Sequence, residues 1–498
     1  MARPNLLYLL SDQHARHVLG CYGDKLVRTP NLDRLAASGV VFDNTYCPSP
    51  ICVPSRMSML TAQHPSAQEC WTNDDFLASD RPTWLHALGA AGYRPHLAGR
   101  LHAMGPDQMH GYVTRNVGDH SSNYAGIPRH DMGPLHQTND PWRASLEVSG
   151  PGQSAYQVKD ADTVDAACAQ LERIAAARRD GSDDPFCLSV GLMLPHPPYV
   201  AWPEDYALYA GRIPPAGLPA PPVGQEHPWL AWWRSDRGIA DVDQASSLRA
   251  RAAYWGLVTR LDHMIGRILA TLDRLGLGEN TLIAYTSDHG DQLGERGLWW
   301  KHTFYEESVS VPLILSWPGH LPAGARRKQV VNLIDATATI LDALGAAPLP
   351  HAQGRSFLEV ARNAAAPWED ETFSEYCTDA VPAWTGGMAV RQRMIRSGPW
   401  KLIYYHGYRP QLFDLASDPH ELRDLAESPS HRDVRARLEA RLLADWDPEA
   451  IAARMRERRL EKNVVAAWAR NVSPDDQHRW RILPEQNRID GTSPSGGA

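Results

Sequence analysis

Leu6 to Leu10 is an unbroken apolar run that stops abruptly at Ser11-Asp12, and no other feature of the sequence restricts the fold as much. A run with no polar side suits a strand buried on both faces of a parallel sheet, with polar residues at its carboxyl end. Tyr93–Ala98, Phe186–Met193, Thr281–Thr286 and Leu313–Ser316 are further short buried-strand candidates. Between them, Ala161–Ala177 and Arg249–Leu275 carry helical composition and pattern. Thr29-Pro30 reads as an N-cap followed by proline at the first helical position, with Gly39 placed to stop that helix. Strands alternating with helices predict an α/β domain with a large, mainly parallel central sheet.

The character changes late in the chain. Trp400–Tyr405 and Gln411–Leu415 read as short strands around a Gly407–Pro410 turn, and His431–Asp445 and Glu449–Asn471 read as helices. This divides the chain into an α/β domain over residues 1–370 and a smaller α+β domain with a helical extension over 371–484. A structureless tail is expected over 485–498, which ends in Gly-Thr-Ser-Pro-Ser-Gly-Gly-Ala. The proline-rich stretch Pro214–Pro228 is expected as an internal loop near the mouth of a site.

A formal net charge of −8 leaves no electrostatic footprint for nucleic acid or an anionic membrane surface. An anionic substrate therefore needs a local positive pocket. Nothing approaches the roughly 18 apolar residues of a membrane span, and the leading apolar run is too short for a signal-peptide core. The seven cysteines are odd in number and scattered, which reads as free thiols in a cytoplasmic protein.

Three segments carry the chemistry. In Pro48-Ser49-Pro50-Ile51-Cys52-Val53-Pro54-Ser55-Arg56, Pro54 favours a helix start. Cys52 then sits at a helix N-terminus, where backbone N–H groups and the dipole stabilise anions. Arg56, one turn on, offers a forked donor set suited to a tetrahedral oxyanion. Ser11-Asp12-Gln13 and Thr286-Ser287-Asp288-His289-Gly290-Asp291 place two carboxylates, an amide oxygen and an imidazole at two strand ends. Open α/β sheets bind ligands at such edges. Taken singly, each of these residues is explained by a helix cap or a buried thiol; taken together they point to a metal. Oxygen donors suit Ca²⁺ or Mg²⁺, and the imidazole admits Mn²⁺.

Cys52-Val53-Pro54-Ser55-Arg56 resembles the Cys-x-Pro-Ser-Arg signature of the type I sulfatases of the alkaline phosphatase superfamily, and Thr29–Ala36 and Leu60-Thr61 also resemble that family. The resemblance implies an alkaline-phosphatase-like sandwich in which a formylglycine-generating enzyme oxidises Cys52 to formylglycine. It also implies one divalent metal, Ca²⁺ first with Mn²⁺ or Mg²⁺ as alternatives, held by Asp12, Gln13, residue Cys52 once oxidised, Asp288 and His289. Gly99-Arg100-Leu101-His102 resembles the family's Gly-Lys-x-His with Arg in place of Lys. Arginine does not lose its proton, so Arg100 becomes an anion clamp and His102 the base that handles the formylglycine hydroxyl. By the same resemblance His196, in Pro195-His196-Pro197, is the leaving-group acid, and Lys301 binds sulfate along with Arg56. Asn73 lies where the choline-sulfatase-like branch and the phosphonate monoester hydrolases place an Asn against the anion.

Gly105–Gly111 and Gly294–Trp299 look closest to the choline-sulfatase-like branch. Past His110 the chain lacks the Trp-bearing segment expected to cradle a quaternary ammonium, which argues against choline. The implied activity is hydrolysis of a small-molecule sulfate monoester to an alcohol or phenol plus inorganic sulfate, with Asp288 helping to ionise the nucleophile. A phosphodiesterase or phosphonate monoester hydrolase with the same nucleophile is the alternative. A catalytically silent anion-binding protein follows if Cys52 stays a thiol. Finally, Ile451, Met455, Leu460, Val464 and Trp468 recur at near-helical spacing, a stripe that needs a partner surface. The expected partner is a neighbouring subunit in a homo-oligomer, with packing on its own chain as the competing arrangement.

Overall fold

The leading apolar run becomes the strand Asn5–Asp12, inside an eight-stranded sheet of the computed structural model. The structure describes residues 3–490 except 128–129, 223, 225 and 379–388. The sheet order is Ala325–Asn332, Val40–Tyr46, Leu313–Ser316, Thr281–Ser287, Asn5–Asp12, Phe186–Pro195, Arg94–Gly99 and Thr114–Asn116. All run parallel except Leu313–Ser316, which is antiparallel to both neighbours. The five strands anticipated in sequence are present, and the sheet is the large, mainly parallel one expected. Val40–Tyr46 and Ala325–Asn332 were not anticipated. The second is an edge strand in which Arg326 and Lys328 face solvent, so its apolar run is too short to stand out.

Long helices Ala155–Arg179 and Gln244–Arg274 pack on the sheet and on each other. Cys52–Thr61, buried along all ten residues, packs against Leu333–Ala343.

Four neighbouring parallel strands position the functional ends. Ser11 pairs with Ser287, and Leu10 and Gly99 both align with Gly191. The segments that follow each strand, beginning at Asp12, Asp288, His196 and Arg100, therefore emerge side by side at one edge. Gly191 permits the closest approach, because a Cβ there would lie 1.9 Å from the Arg100 carbonyl oxygen, while Arg100 N donates to Gly191 O at 2.8 Å. Gly191→Ala must push the Arg100 segment outward. The expected loss is about 1–3 kcal/mol of stability, as for other overpacked sites, with a fall in activity larger than the stability loss explains. Thermal melts alongside initial rates check this.

From Glu371 onward the chain forms a four-stranded antiparallel sheet, Glu371–Thr378, Val390–Ser397, Trp400–Tyr405 and Gln411–Asp414. Its alternation is read by two cores. Tyr376, Met394, Ile403 and Phe413 join the central core. Phe373, Ile395, Leu402 and Leu412 instead meet Leu438 and Leu442 of helix Arg432–Leu443 and Ile451 and Met455 of helix Pro448–Val472. The structureless tail expected from 485 begins too early. Pro484–Gln486 forms a 3₁₀ turn, and Arg488–Ile489 pairs with Gly150–Gln153, because that short strand has a free edge; residues 491–498 lie outside those described. Among the described residues no helix is long and apolar enough to cross a membrane. None of the seven cysteines is in a disulfide.

Candidate active site

Cys52 opens its helix, as the position of Pro54 suggested, and Ile51 before it provides no side-chain cap. The first-turn donors are largely spoken for: Val53 N donates to Asn73 Oδ1 at 3.0 Å, Pro54 has no N–H, and Ser55 N donates to Ile51 O at 3.1 Å. Asn73 keeps its amide N–H₂ for the cavity it lines.

Around Cys52 Sγ stand Lys301 Nζ at 3.0 Å, His289 Nε2 at 3.2 Å and Asp12 Oδ1 at 4.0 Å. One ligand atom from each of Asp12, Cys52, Asp288 and His289 lies within 4.8 Å of the others, all four residues being buried. That spacing fits a single ion between them, since oxygen and nitrogen ligands of Ca²⁺ or Mn²⁺ sit about 2.0–2.6 Å from the metal. The chemistry of the donors agrees. His289 Nδ1 donates to the Gly290 carbonyl at 3.1 Å, which leaves the Nε2 lone pair turned toward the group. Burial, reinforced by Lys301, pushes His289 down to about 4 against the pull of Asp288, so its imidazole is neutral. Burial would raise Asp12, but Arg100, His196, Arg56 and Lys301 together hold it well below the usual carboxylate range.

The two arginines are placed differently from the sequence expectation of open anion clamps. Arg56 donates from Nε to Asp288 Oδ2 at 2.8 Å and from Nη2 to Asp12 Oδ2 at 3.1 Å, so its fork braces the metal-type carboxylates. Arg100 donates from Nε to Asp12 Oδ2 at 2.6 Å and from Nη2 to His102 Nδ1 at 2.7 Å. Lys301 is the cation nearest the thiol and also donates to Gln13 Oε1 at 2.9 Å, with His196 Nε2 3.3 Å away. All eleven predicted site residues are thus brought to one sheet edge.

Sequence reasoning missed the supports. Asp291 Oδ2 accepts from Gln13 Nε2 at 2.6 Å and from Tyr199 OH at 2.7 Å, fixing the amide so that its oxygen faces Lys301. Asp291 was visible at the end of the Asp288 run but has no motif role. Asp119 accepts from His102 N at 2.7 Å and from Arg115, and nothing around it in sequence marks it.

The site opens into a cavity of about 480 Å³ whose walls include Met104, Tyr124, Met132, Trp142, Tyr156 and Ile482. The proline-rich loop is not part of this wall among its described residues. Its carbonyl at Leu218 accepts from Arg296 N, and His227 stacks on Tyr405 at 3.9 Å, so it seals the junction with the second sheet. Composition marked it as a loop without indicating where it lies.

Residues 4–346 match the family model described as Sulfatase, and residues 294–446 the one described as N-sulphoglucosamine sulphohydrolase, C-terminal. The chain is 32% identical over 492 residues to the choline-sulfatase of Rhizobium meliloti (strain 1021), covering 94% of this chain and 92% of that protein. It is 28% identical over 503 residues to the multifunctional alkaline phosphatase superfamily protein PehA of Trinickia caryophylli, covering 91% and 96%. The phosphonate monoester hydrolase SpPMH from Silicibacter pomeroyi superposes with a TM-score of 0.71 at 26% identity, covering 89% of this chain and 95% of that one.

Proposed function

Because the chain belongs to the sulfatase family, whose members are sulfuric ester hydrolases of the alkaline phosphatase superfamily, we propose that it hydrolyses a small-molecule sulfate monoester with a nucleophile made from Cys52. The carrying observation is the placement of Cys52 Sγ, 3.0 Å from Lys301 Nζ inside the buried Asp12, Asp288, His289 cluster. That sulfur stands where a hydroxyl oxygen of a formylglycine hydrate would lie, the aldehyde being supplied by a formylglycine-generating enzyme. Formylglycine and a divalent metal, Ca²⁺ before Mn²⁺ or Mg²⁺, would supply an ionisable geminal diol and a Lewis acid.

The chain's own residues do the rest. Asp12, Gln13, Asp288 and His289 would hold the metal, and Arg56 orients both aspartates by donating to each. Lys301 Nζ and the Asn73 amide meet the sulfuryl oxygens, with Arg100 completing the positive wall. His196 Nε2, beside Lys301, gives its proton to the departing oxygen. The cavity, whose walls mix aromatic and apolar side chains with polar ones such as His120, His136, Gln137 and Asp140, holds the alcohol portion. Mass measurement of the peptide carrying residue 52 tests the modification, since conversion of thiol to aldehyde lowers its mass. A kinetic panel of sulfate esters, phosphate diesters and phosphonates tests the activity. The likeness to a phosphonate monoester hydrolase favours a second reading, in which a tetrahedral phosphorus ester uses the same pocket. That reading holds if phosphonates or diesters turn over faster than every sulfate ester.

We further propose that the protein is a homo-oligomer. The expected apolar stripe on Pro448–Val472 splits in two. Ile451 and Met455 are buried in their own chain, and Arg454 and Lys462 tie the helix to Glu69 and Asp75. Leu460 and Val464 are each 71% exposed and Val472 56% exposed, so only the second half offers an apolar face. A second copy presents the same stripe and can close the contact by two-fold symmetry. Light scattering is expected to give a dimer or larger for the full chain and a monomer for Leu460→Lys/Val464→Lys. A full chain that stays monomeric at micromolar concentration excludes the contact.

A further inference from the structure

His102 faces the cavity within the cluster of proton-carrying side chains, and the arginine that stands beside it decides what it can do. A guanidinium has donors only and does not lose a proton. Arg100 Nη2 lies 2.7 Å from His102 Nδ1, so Nδ1 must be the acceptor. A proton on Nδ1, in either the other neutral tautomer or the imidazolium, would set two donors against each other at that distance. The arrangement is fixed from both sides. Arg100 is tied down through Nε to Asp12 at 2.6 Å, and the His102 backbone is held by Asp119, which accepts from its N–H at 2.7 Å at a φ of +60°. His102, which lines the cavity, is therefore neutral, with its one proton on Nε2.

His196 has the opposite arrangement. Its Nδ1 lies 2.6 Å from the Pro197 carbonyl oxygen, an acceptor only, so Nδ1 carries a proton whatever the state of the ring. Its Nε2 lies 3.3 Å from Lys301 Nζ and can gain or lose a proton without breaking the Nδ1 contact. The Lys301 ammonium already has two other acceptors, Gln13 Oε1 and Cys52 Sγ, to which it can turn when Nε2 is protonated.

We propose that Arg100 locks His102 as an Nε2–H donor to the substrate's anionic oxygens, so that His196 alone carries protons in both halves of the reaction. The proton balance closes on one residue. The attacking hydroxyl of the diol releases its proton to solvent on ionisation; His196 then gives its Nε2 proton to the leaving oxygen as the sulfur–oxygen bond breaks, and regains one from the second geminal hydroxyl as the carbon–oxygen bond to sulfate breaks and the aldehyde re-forms. This departs from the role that resemblance assigns to His102, and it follows from the guanidinium of Arg100 standing beside its Nδ1. The direction of the His102 shift agrees, since burial and then Arg100 hold its imidazole well below the ordinary histidine range. The roles rest on the sulfatase reading; the tautomer does not.

Nitrogen NMR of the metal-loaded, ¹⁵N-histidine-labelled protein tests the lock directly, with His102 assigned by its loss in His102→Gln. A pyridine-like Nδ1 and a pyrrole-like Nε2 are expected for His102. A pyridine-like Nε2, or an imidazolium, overturns the proposal. Kinetics give the second arm. Gln can donate to an anion but cannot act as a base, so His102→Gln should raise KM and lower kcat by about tenfold or less. His196→Gln should lower kcat by roughly 10²- to 10⁴-fold, the range for a lost general acid or base. A kcat loss in His102→Gln as large as that in His196→Gln also overturns it. Absence of any sulfate-ester turnover in the wild type would strike the sulfatase reading while leaving the tautomer result to stand or fall on the spectrum.

Discussion

Cys52→Ala is expected to abolish sulfate-ester turnover, by on the order of 10⁴- to 10⁶-fold, because it removes the nucleophile rather than a group that assists it. The fold should survive. The thiol is small, the helix it opens is held by nine further buried residues, and the cavity left costs only about 1 kcal/mol or so by the scaling for lost buried volume. Cys52→Ser should be nearly as inactive, since a lone hydroxyl has no geminal partner from which an aldehyde can be regenerated. Initial rates, read beside far-ultraviolet circular dichroism and a melting curve, separate loss of chemistry from loss of structure. Sustained wild-type-like turnover by either variant would remove the formylglycine reading altogether.

Asp288→Asn is the second large effect. The carboxylate belongs to the buried ligand cluster and accepts from Arg56 Nε at 2.8 Å, while its other oxygen accepts from Gln13 N at 3.0 Å. The amide keeps the shape but removes a ligand charge and leaves the buried guanidinium short of one of its two counter-ions. Breaking one side of a buried pair costs about 3–5 kcal/mol, so the melting temperature should fall. Metal content should fall with it, and the rate by roughly 10³-fold or more, as for the loss of a main electrostatic stabiliser. Elemental analysis and chelation of the wild type provide the control. A rate unchanged by exhaustive chelation, with no metal found, would show that this cluster works without an ion.

Much of this was legible before the fold was known, because the informative residues sit where local chemistry marks them. Asp12 and Asp288 each end an apolar strand, and Pro54 fixes where a helix must begin. The position of Arg100 was also readable, but its function was not. Its fork is occupied by Asp12 and His102, and which acceptors a side chain finds depends on neighbours 88 residues away as well as two. The same limit hid Asp291, whose partners Gln13 and Tyr199 follow two other strands, and Asp119, whose partners His102 and Arg115 carry no pattern that pairs them with it. Val40–Tyr46 carries a good β-forming sequence but follows so closely on Gly39 that it reads as the exit of a turn. The cavity wall was beyond reach, since Tyr124 and Ile482 come from segments without periodicity that meet only in the folded chain.

The burial of Cys52 also has a consequence in time. The residue is 1% exposed, and its partner His289 is synthesised 237 residues after it. At about 5–20 residues per second, roughly 12–50 seconds pass between the emergence of one and the other from the ribosome. The oxidation proposed for Cys52 has that interval in which the segment is an open chain; afterwards an oxidising enzyme must wait for an unfolding event, at a stability of about 5–15 kcal/mol a rare one. The fraction of active molecules is then set by a race between modification and translation. Synonymous codons downstream of Cys52, which leave the protein sequence unchanged, become determinants of its specific activity.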